Sequence, residues 1–328
     1  MPGWVLDRRS GSVGTPPPSF SRADAEDSGR ARTGGGMGWT AWERVTGDGL
    51  EFDEIVYERK RHEELGGGIA RVTISKPDKY NAMTLRTVDQ MFRAFYHANH
   101  DPSLGVIVVA GTGKHFGVGG DVEWERWGLR EAFYFRYPHN RLIRTSRKPV
   151  IAQVQGYCLG GHNHMAYCCD FTIAADDAVF GQAGPKVSSP ADGFFVPYLA
   201  NVVGAKKARE MWMLCRRYKA DQALEMGLVN QVVPRDDLEA AVDRWCEEML
   251  RLSPGCLEIL KASFDQMMDG YAEMGVISST MYPDWFDLPE GREGGAAFTE
   301  KRKARFWEIR EHEAEARRRM QEEWERKK

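Results

Sequence analysis

The sequence lacks the features that mark a membrane protein or a disulfide-stabilised one. No apolar run in its 328 residues approaches the roughly 18 that a bilayer-spanning helix needs, and the N-terminus has no compact apolar signal core. Its six cysteines form no C-x-x-C pair and no framework of short loops. These absences predict a cytoplasmic protein with reduced, buried thiols and no membrane partner.

The sequence also has little net charge and no motif for a metal or a nucleotide phosphate. A formal net charge of −3 gives no general attraction to nucleic acid, although the C-terminal end is locally rich in lysine and arginine. No His/Cys cluster has metal-ligand spacing, and there is no P-loop. We therefore expect no metal site and no nucleic-acid partner.

Composition and periodicity divide the chain into three parts. Residues 1–48 combine proline and glycine runs with no apolar periodicity, which predicts a disordered N-terminal extension and a fold that starts near Leu50. Strand-like and helical patterns then alternate, which predicts an α/β layered core over 49–250. A helical C-terminal region follows over 251–328, and its last segment, from Phe298, reads as one charged, solvated helix.

Some elements of the core can be predicted individually. The helix predicted over Leu85–His100 places Val88, Met91, Phe92 and Phe95 on one face. The predicted buried strands are Ile69–Ser75, Val106–Ala110, Val150–Val154 and Phe171–Ala174.

Two glycine-rich segments carry most of the chemical information. They are His115–Asp121, which reads HFGVGGD, and Gly156–His164, which reads GYCLGGHNH. Each follows an apolar strand-like run, so each offers backbone N–H groups that no side chain obstructs. Two such donors converging on one oxygen would form an oxyanion hole, worth on the order of 10²–10³ in rate for each donor. We expect that oxygen to belong to a thioester carbonyl that becomes an enolate, and the sequence therefore predicts an enzyme.

At these residues the chain resembles the crotonase superfamily, the enoyl-CoA hydratase/isomerase family, over about Phe52 to Phe306. The resemblance implies a crotonase-type ββα spiral core with a helical C-terminal region that assembles trimers or hexamers. It also implies an acyl-CoA substrate, with coenzyme A as part of the substrate and no tightly bound cofactor. Besides the two glycine segments, the motifs that carry it are Lys76–Ala82, Asp170–Ala175, Phe180–Gln182 and Ala223–Val229.

The resemblance also assigns roles to individual residues. The oxyanion donors map to the backbone N–H groups of Val118 and Gly161. The glycines expected to line the acyl-CoA site are Gly119, Gly120 and Gly160. Contacts with coenzyme A are expected from Lys79, Tyr80 and Ala82 on one loop, where an exposed lysine could also be merely solvated. The charge pattern of the tail leaves three interpretations of Lys301: a contact with the CoA phosphates, a contact with another subunit, or a solvated charge.

A narrower resemblance points to two enzymes that make or break a C–C bond beside a CoA thioester. The strings FGQAGPKV from Phe180 and KKAREMW from Lys206 are similar to those of 1,4-dihydroxy-2-naphthoyl-CoA synthase and 2-ketocyclohexanecarboxyl-CoA hydrolase. Ser189, Gln182 and Trp212 match positions that line the synthase pocket. Gln182 and Trp212 lie in the part that holds bicarbonate in some synthases, so bicarbonate is a possible ligand.

The proton-transfer residues depart from these relatives. The synthase and the hydrolase both carry an aspartate at the position of Ala191, whereas here the acid is one residue later, at Asp192. The tyrosine that donates a proton in the synthase aligns with Phe286, so its hydroxyl is missing unless Tyr282 replaces it. The two hydratase glutamates align with His164 and Gly184, which disfavours simple hydration of a straight-chain enoyl-CoA.

These departures make His164 and Asp192 the expected acid/base pair. A histidine with an ordinary pKa near 6.5 suits proton transfer. The alternatives are a packed histidine at 164 and a helix-capping aspartate at 192. His162 is read as a packed neighbour.

The expected reaction is hydrolytic, ring-opening C–C cleavage of a cyclic β-oxoacyl-CoA. Three alternatives stay open at this point. They are a ring-closing condensation of the naphthoate-synthase type, hydration or isomerisation of an unsaturated cyclic acyl-CoA, and a non-catalytic or RNA-associated homologue acting through its basic tail.

Overall fold

A computed structural model describes residues 38–122, 138–189, 191, 194–265 and 285–327. The side chains of Pro138, His139 and Phe286 lie outside that description. Of the predicted site residues and their substitutes, Asp192 and Tyr282 are also outside it, as is most of the predicted 1–48 extension.

Strands in the described part of the chain form two sheets. They are β1 (Glu43–Arg44), β2 (Ile55–Arg61), β3 (Gly68–Ile74), β4 (Leu104–Gly111), β5 (Val150–Val154), β6 (Tyr157–Leu159), β7 (Phe171–Ala175), β8 (Val179–Gly181), β9 (Arg217–Lys219) and β10 (Gln231–Val233). The larger sheet has the order β1-β2-β3-β4-β5-β7-β10, and the smaller has the order β6-β8-β9. In the larger sheet β1, β2 and β3 pair antiparallel, whereas the pairings from β3 to β10 are parallel.

The α-helices lie between and after these strands. They are α1 (Leu85–His100), α2 (Pro138–Arg144), α3 (Gly161–Cys168), α4 (Phe195–Val203), α5 (Ala205–Leu214), α6 (Ala220–Glu225), α7 (Leu238–Leu250), α8 (Pro254–Asp265), α9 (Pro289–Thr299) and α10 (Phe306–Arg326). The helix predicted over Leu85–His100 is confirmed as α1, with the same first and last residues. Thr84 caps it, because its side chain accepts the Thr87 N–H.

Helices cover both faces of the larger sheet, which is why its parallel strands are continuous apolar runs. Alternate residues of β4 point to opposite sides: Val106 and Val108 join the buried cluster under α7. Ile107 and Val109 join the cluster that includes α1 and α3. The predicted strands correspond to β3, β4, β5 and β7, so the core of an α/β fold is confirmed.

Two sequence predictions for the helices are wrong in part. Met91 and Phe95 are buried as predicted, but Phe92 is 44% exposed, and the buried stripe of α1 continues through Thr87 and Ala94. The single tail helix predicted from Phe298 is two helices, α9 and α10, separated at residues 300–305. Lys301 lies in this break with a φ of 53°, a left-handed conformation that a continuing helix does not contain.

The described chain begins earlier than the predicted start near Leu50. Within 38–48, β1 pairs with β2, and the indoles of Trp39 and Trp42 donate hydrogen bonds to glutamate carboxylates on α7 at 2.9 and 2.8 Å. The sequence did not predict structure in residues 38–48, because two isolated tryptophans produce no periodic apolar pattern.

The thiols agree with the prediction except at one position. Cys158, Cys168, Cys169, Cys215 and Cys246 are free and buried, whereas Cys256 is free and exposed on α8. Among the described helices, none has the length and apolar character that crossing a membrane requires.

A buried ion pair between Lys261 of α8 and Asp170, the residue before β7, is expected to stabilise the fold. Lys261 is 5% exposed, and its Nζ lies 2.6 Å from Asp170 Oδ2 and 3.1 Å from the Lys148 carbonyl oxygen. Lys261→Met removes the closest described cation from the Asp170 carboxylate, and we expect a loss of about 3 kcal/mol in unfolding free energy. Urea denaturation measures it. Lys207→Met, which breaks the exposed pair with Glu210, is the control and should cost less than about 1 kcal/mol. Equal losses would contradict the prediction.

Candidate active site

The two glycine-rich segments lie side by side at the ends of the two sheets. Gly117 and Cys158 form a parallel bridge, in which the Gly117 N–H donates to the Tyr157 carbonyl at 2.8 Å. The Leu159 N–H donates back to the Gly117 carbonyl at 3.0 Å. The backbones approach so closely that a Cβ on Gly119 would lie 3.0 Å from the Gly161 nitrogen. Gly119 also has a φ of +105°, so glycine is required there for both reasons.

A third segment holds the first glycine loop from the other side. The Met83 N–H donates to the Gly119 carbonyl at 2.9 Å, and the Asp121 N–H donates to the Met83 carbonyl at 2.8 Å. The Met83 side chain also reaches the second segment, since a Cβ on Gly161 would lie 3.1 Å from Met83 Cε. The loop is therefore fixed by backbone hydrogen bonds on both edges.

The backbone donors that matter for the predicted chemistry are the N–H groups of Val118 and Gly161. Within the described ranges, neither the Val118 N–H nor the Gly161 N–H makes a hydrogen bond to the protein. Gly161 is the first residue of α3, where the helix dipole adds a partial positive charge. Backbone N–H groups of this kind, one from each predicted segment, are the donors that an oxyanion hole uses to stabilise an oxygen carrying negative charge.

Histidines connect the two segments in both directions. His115, in the first segment, accepts the Tyr157 N–H on Nδ1 at 3.0 Å. His162, in the second, accepts the Gly119 N–H on Nδ1 at 2.9 Å. Both rings are buried. His115 was not singled out from the sequence, and the only available signal was its position at the start of the first segment.

The His115 contact predicts how stability depends on pH. Burial is the main cause that lowers the pKa of His115 below its ordinary 6.5, and the Lys114 and Arg235 cations lower it further. The unfolded chain therefore binds a proton more readily, so this contribution to stability is complete above about pH 6.5 and is lost as the pH falls through the folded-state value.

We expect His115→Asn, which keeps an acceptor for Tyr157, to flatten the acid side of the stability profile. Urea unfolding between about pH 7.5 and pH 5 measures the slope. His312→Asn, at an exposed position of α10, is the control and should leave the slope unchanged. A His115→Asn slope identical to that of the unmodified protein would refute the prediction.

His164 lies one helical turn after Gly161, on the same side of α3. Its Nε2 is 3.0 Å from Gln182 Oε1, and its ring stacks on Phe195 with centroids 4.6 Å apart. The Trp212 ring is a second neighbour, at 4.9 Å, and the Tyr167 ring is a third, at 6.0 Å. Because the amide oxygen accepts, the proton is assigned to Nε2, and Nδ1 is the basic nitrogen.

Buried donors surround this histidine. Gln182 Nε2 and Trp212 Nε1 are both buried and have no acceptor among the described residues. An unpaired buried N–H is unfavourable, so such groups commonly mark the place of a ligand or water. Two predicted pocket residues therefore present polar hydrogens beside His164.

A cavity of about 730 Å³ has Trp212 in its lining, whereas His164 and Gln182 are not among its lining residues. Ser189 and Ala191 line it, together with Trp285, Trp307 and Arg310 from the C-terminal region. Its wall is mainly aromatic and apolar, with a few polar groups, which is typical of a site for an organic ligand.

The residues predicted to contact coenzyme A or to line the acyl-CoA site lie on the loop before Met83 and in the two glycine segments. Lys79 and Tyr80 are both more than half exposed, and Lys79 Nζ lies 3.4 Å from Asp121 Oδ2. Ala82 is buried next to Met83. Gly160 caps α3 with a φ of 56°, and Gly120 bridges to Met83. No group of histidine, cysteine, aspartate or glutamate side chains in the described ranges has a metal-binding arrangement.

Comparison with known proteins identifies the family. The enoyl-CoA hydratase/isomerase profile matches residues 64–309. An enoyl-CoA hydratase from Mycobacterium avium subsp. paratuberculosis K-10 is 26% identical, with a TM-score of 0.67 over 78% of this chain and 99% of that one. An enoyl-CoA hydratase/carnithine racemase from Magnetospirillum magneticum is 30% identical, with a TM-score of 0.61 over 78% of this chain and 96% of that one.

A third structure, a methylmalonyl-CoA decarboxylase in complex with 2-nitronate-propionyl-CoA, shares the fold. It is 21% identical, with a TM-score of 0.69 over 78% of this chain and 99% of that one. The profile match extends over both glycine segments and into α10. The chain therefore belongs to the enoyl-CoA hydratase/isomerase family of the crotonase superfamily and is an acyl-CoA-processing enzyme.

Proposed function

We propose that this enzyme opens the ring of a cyclic β-oxoacyl-CoA by hydrolytic C–C cleavage. Water adds to the ring ketone and loses a proton to a base. The bond from that carbon to the thioester α-carbon then breaks, and its electron pair forms the thioester enolate. Protonation of the α-carbon completes the reaction, so the product is a ring-opened acyl-CoA that carries a new carboxylate.

The observation that supports this proposal most directly is the pair of unengaged backbone donors beside a histidine. The Val118 and Gly161 N–H groups are suited to the enolate oxygen, where negative charge develops. His164, one turn away, is proposed to take the proton from water, while its Nε2 stays 3.0 Å from Gln182 Oε1. Asp192, outside the described residues, is proposed as the acid that serves the α-carbon.

The cavity that Trp212 lines is proposed to hold a bulky ring, with Trp212 as the residue it shares with the surroundings of His164. The cavity beside Trp212 is wide and has aromatic walls, and Ser189 and Ala191 supply small side chains at its edge. The unpaired N–H groups of Gln182 and Trp212 are suitable donors for the ring ketone oxygen. Bicarbonate is the alternative ligand for the same two donors. Phe286, whose side chain is outside the description, is proposed as a further wall residue.

Coenzyme A is proposed to bind as part of the substrate, with no tightly bound cofactor. Lys79 and Tyr80 are exposed on the loop before Met83, and Lys301 is an exposed cation in the break between α9 and α10. Cations of this kind suit the phosphates of the nucleotide. Ala82 and the glycines Gly119, Gly120 and Gly160 would supply close backbone approach to the thioester arm.

Self-association into a trimer or hexamer and a cytoplasmic location are also proposed. One support for assembly is an apolar row on α8, where Ile259, Leu260 and Phe264 are all exposed. Light scattering of the purified protein measures the mass of the assembly.

The reaction itself is tested by incubating the full chain with a panel of acyl-CoA substrates and reading the products by mass. The panel contains 2-oxocyclohexanecarbonyl-CoA, a cyclic dienoyl-CoA and succinylbenzoyl-CoA. A gain of one water with ring opening supports the proposal. Loss of water with ring closure would replace it by the synthase reaction, and a gain of water with the ring intact would replace it by hydration.

A non-catalytic role is the remaining outcome. It would be favoured by no turnover of any acyl-CoA together with salt-sensitive RNA binding that survives His164→Ala and Asp192→Ala.

A further inference from the structure

The hydrogen bond between His162 and Gly119 joins the residues that follow the two oxyanion donors. Gly119 comes directly after Val118, and His162 comes directly after Gly161. The Gly119 N–H donates to His162 Nδ1 at 2.9 Å, and the side chain of His162 is fully buried. One side-chain contact therefore spans the gap between the donors.

The His162 ring also fills the space under the first glycine loop. A Cβ on Gly117 would lie 2.1 Å from the ring atoms Cδ2 and Nε2, so the ring rests directly against the loop backbone. Phe116 meets the ring edge to face, with centroids 5.6 Å apart. The ring is thus held in place on one side while Nδ1 holds the loop.

We propose that His162 is a positioning residue of the oxyanion hole, whose Nδ1 fixes the separation of the Val118 and Gly161 N–H groups. This inference rests on the proposed function only in assuming that the two donors bind a thioester oxygen. Such donors act when they lie about 2.7–3.1 Å from the developing oxyanion. A shift of about 1 Å at a reacting centre can cost on the order of 10²-fold in rate.

A residue that only filled space would not need a nitrogen at this position. The Gly119 amide lies in the contact between the segments, where a buried N–H without an acceptor is unfavourable. An acceptor at the place of Nδ1 is therefore the feature that separates a positioning role from packing alone.

Two substitutions separate these roles. His162→Asn keeps a side-chain oxygen near the place of Nδ1 but loses most of the ring. His162→Phe keeps the ring and its volume but has no acceptor. The direct measurement is the infrared frequency of the ¹³C-labelled thioester carbonyl in bound cyclohexanecarbonyl-CoA, an unreactive cyclic thioester. Kinetics with 2-oxocyclohexanecarbonyl-CoA give the second measurement.

We expect the carbonyl frequency to fall on binding to the unmodified enzyme and to His162→Asn, and to fall much less in His162→Phe. The kcat of His162→Phe should drop by about 10 to 10²-fold, with KM within about threefold. The inference is overturned if both variants give the same carbonyl shift, whether normal or reduced. If His162→Phe does not fold, His162→Gln, whose acceptor lies farther out near the place of Nε2, replaces it in the comparison.

The same measurement separates this inference from the proposed reaction. A normal carbonyl shift without turnover of the cyclic β-oxoacyl-CoA would reject ring opening and leave the role of His162 intact. A bound thioester whose carbonyl frequency does not change in the unmodified enzyme would reject the oxyanion hole and, with it, the role of His162.

Discussion

Val118→Pro is expected to lower kcat for ring opening by about 10² to 10³-fold, because proline has no N–H with which to stabilise the enolate oxygen. The affinity for unreactive cyclohexanecarbonyl-CoA should change only a few-fold, since the donor acts mainly on charge that develops during the reaction. Steady-state kinetics and calorimetric titration measure the two quantities.

Val118→Ala is the matched control, because it shortens the side chain and keeps the backbone donor. We expect its kcat to stay within a few-fold of the unmodified enzyme. A thermal unfolding curve establishes that Val118→Pro is folded. If it is not, Gly161→Pro removes the second donor instead, at the first position of α3, where a helix tolerates proline. Full activity in a folded Val118→Pro variant would remove the oxyanion hole from the mechanism.

The second large effect is expected at His164. His164→Ala removes the proposed base, and loss of acid/base catalysis typically costs about 10² to 10⁴-fold in rate. The substitution leaves a space between Phe195 and Trp212 that has the size of the missing ring. Added imidazole should therefore restore part of kcat, in a manner that saturates with imidazole concentration.

Tyr167→Phe is the control for this experiment. Tyr167 lies on the same helix, is buried, and donates its hydroxyl to the Phe195 carbonyl at 2.9 Å. Removing that hydroxyl should lower stability by about 1 kcal/mol and leave kcat nearly unchanged. If His164→Ala loses activity that imidazole does not restore, while its stability falls more than that of Tyr167→Phe, His164 is a packing residue.

The parts of the fold that the sequence predicted are those whose pattern is local. The strand β4 is a continuous apolar run, and α1 has both a helical period and a capping threonine, so each can be read from a short window. The N-terminal strand β1 and the break around Lys301 were missed. β1 is held by its pairing with β2, and the break is held by hydrogen bonds from the Arg302 side chain and the Arg305 N–H to the Glu293 carboxylate. Short-range apolar periodicity records neither kind of contact.

Within the candidate site, too, the local features could be predicted from the sequence and the contacts between distant residues could not. The two glycine segments could be recognised because close backbone approach and a positive φ favour glycine at positions such as Gly119, and the glycine pairs are visible in the sequence. The partners of the histidines could not be recognised. His162 read as a packed neighbour of His164, and nothing in the residues around His115 indicated that it accepts the Tyr157 N–H.

The sequence by itself determined the α/β class, the family and the two segments that supply the backbone donors. Only the tertiary structure decided that the Val118 and Gly161 N–H groups have no acceptor among the described residues, that Gln182 contacts His164 Nε2, and that His162 connects the two segments. The physical reason is that glycine content and apolar periodicity are properties of neighbouring residues. A hydrogen bond between loops depends on how the two sheets place their strand ends, and that is fixed only when the whole core packs.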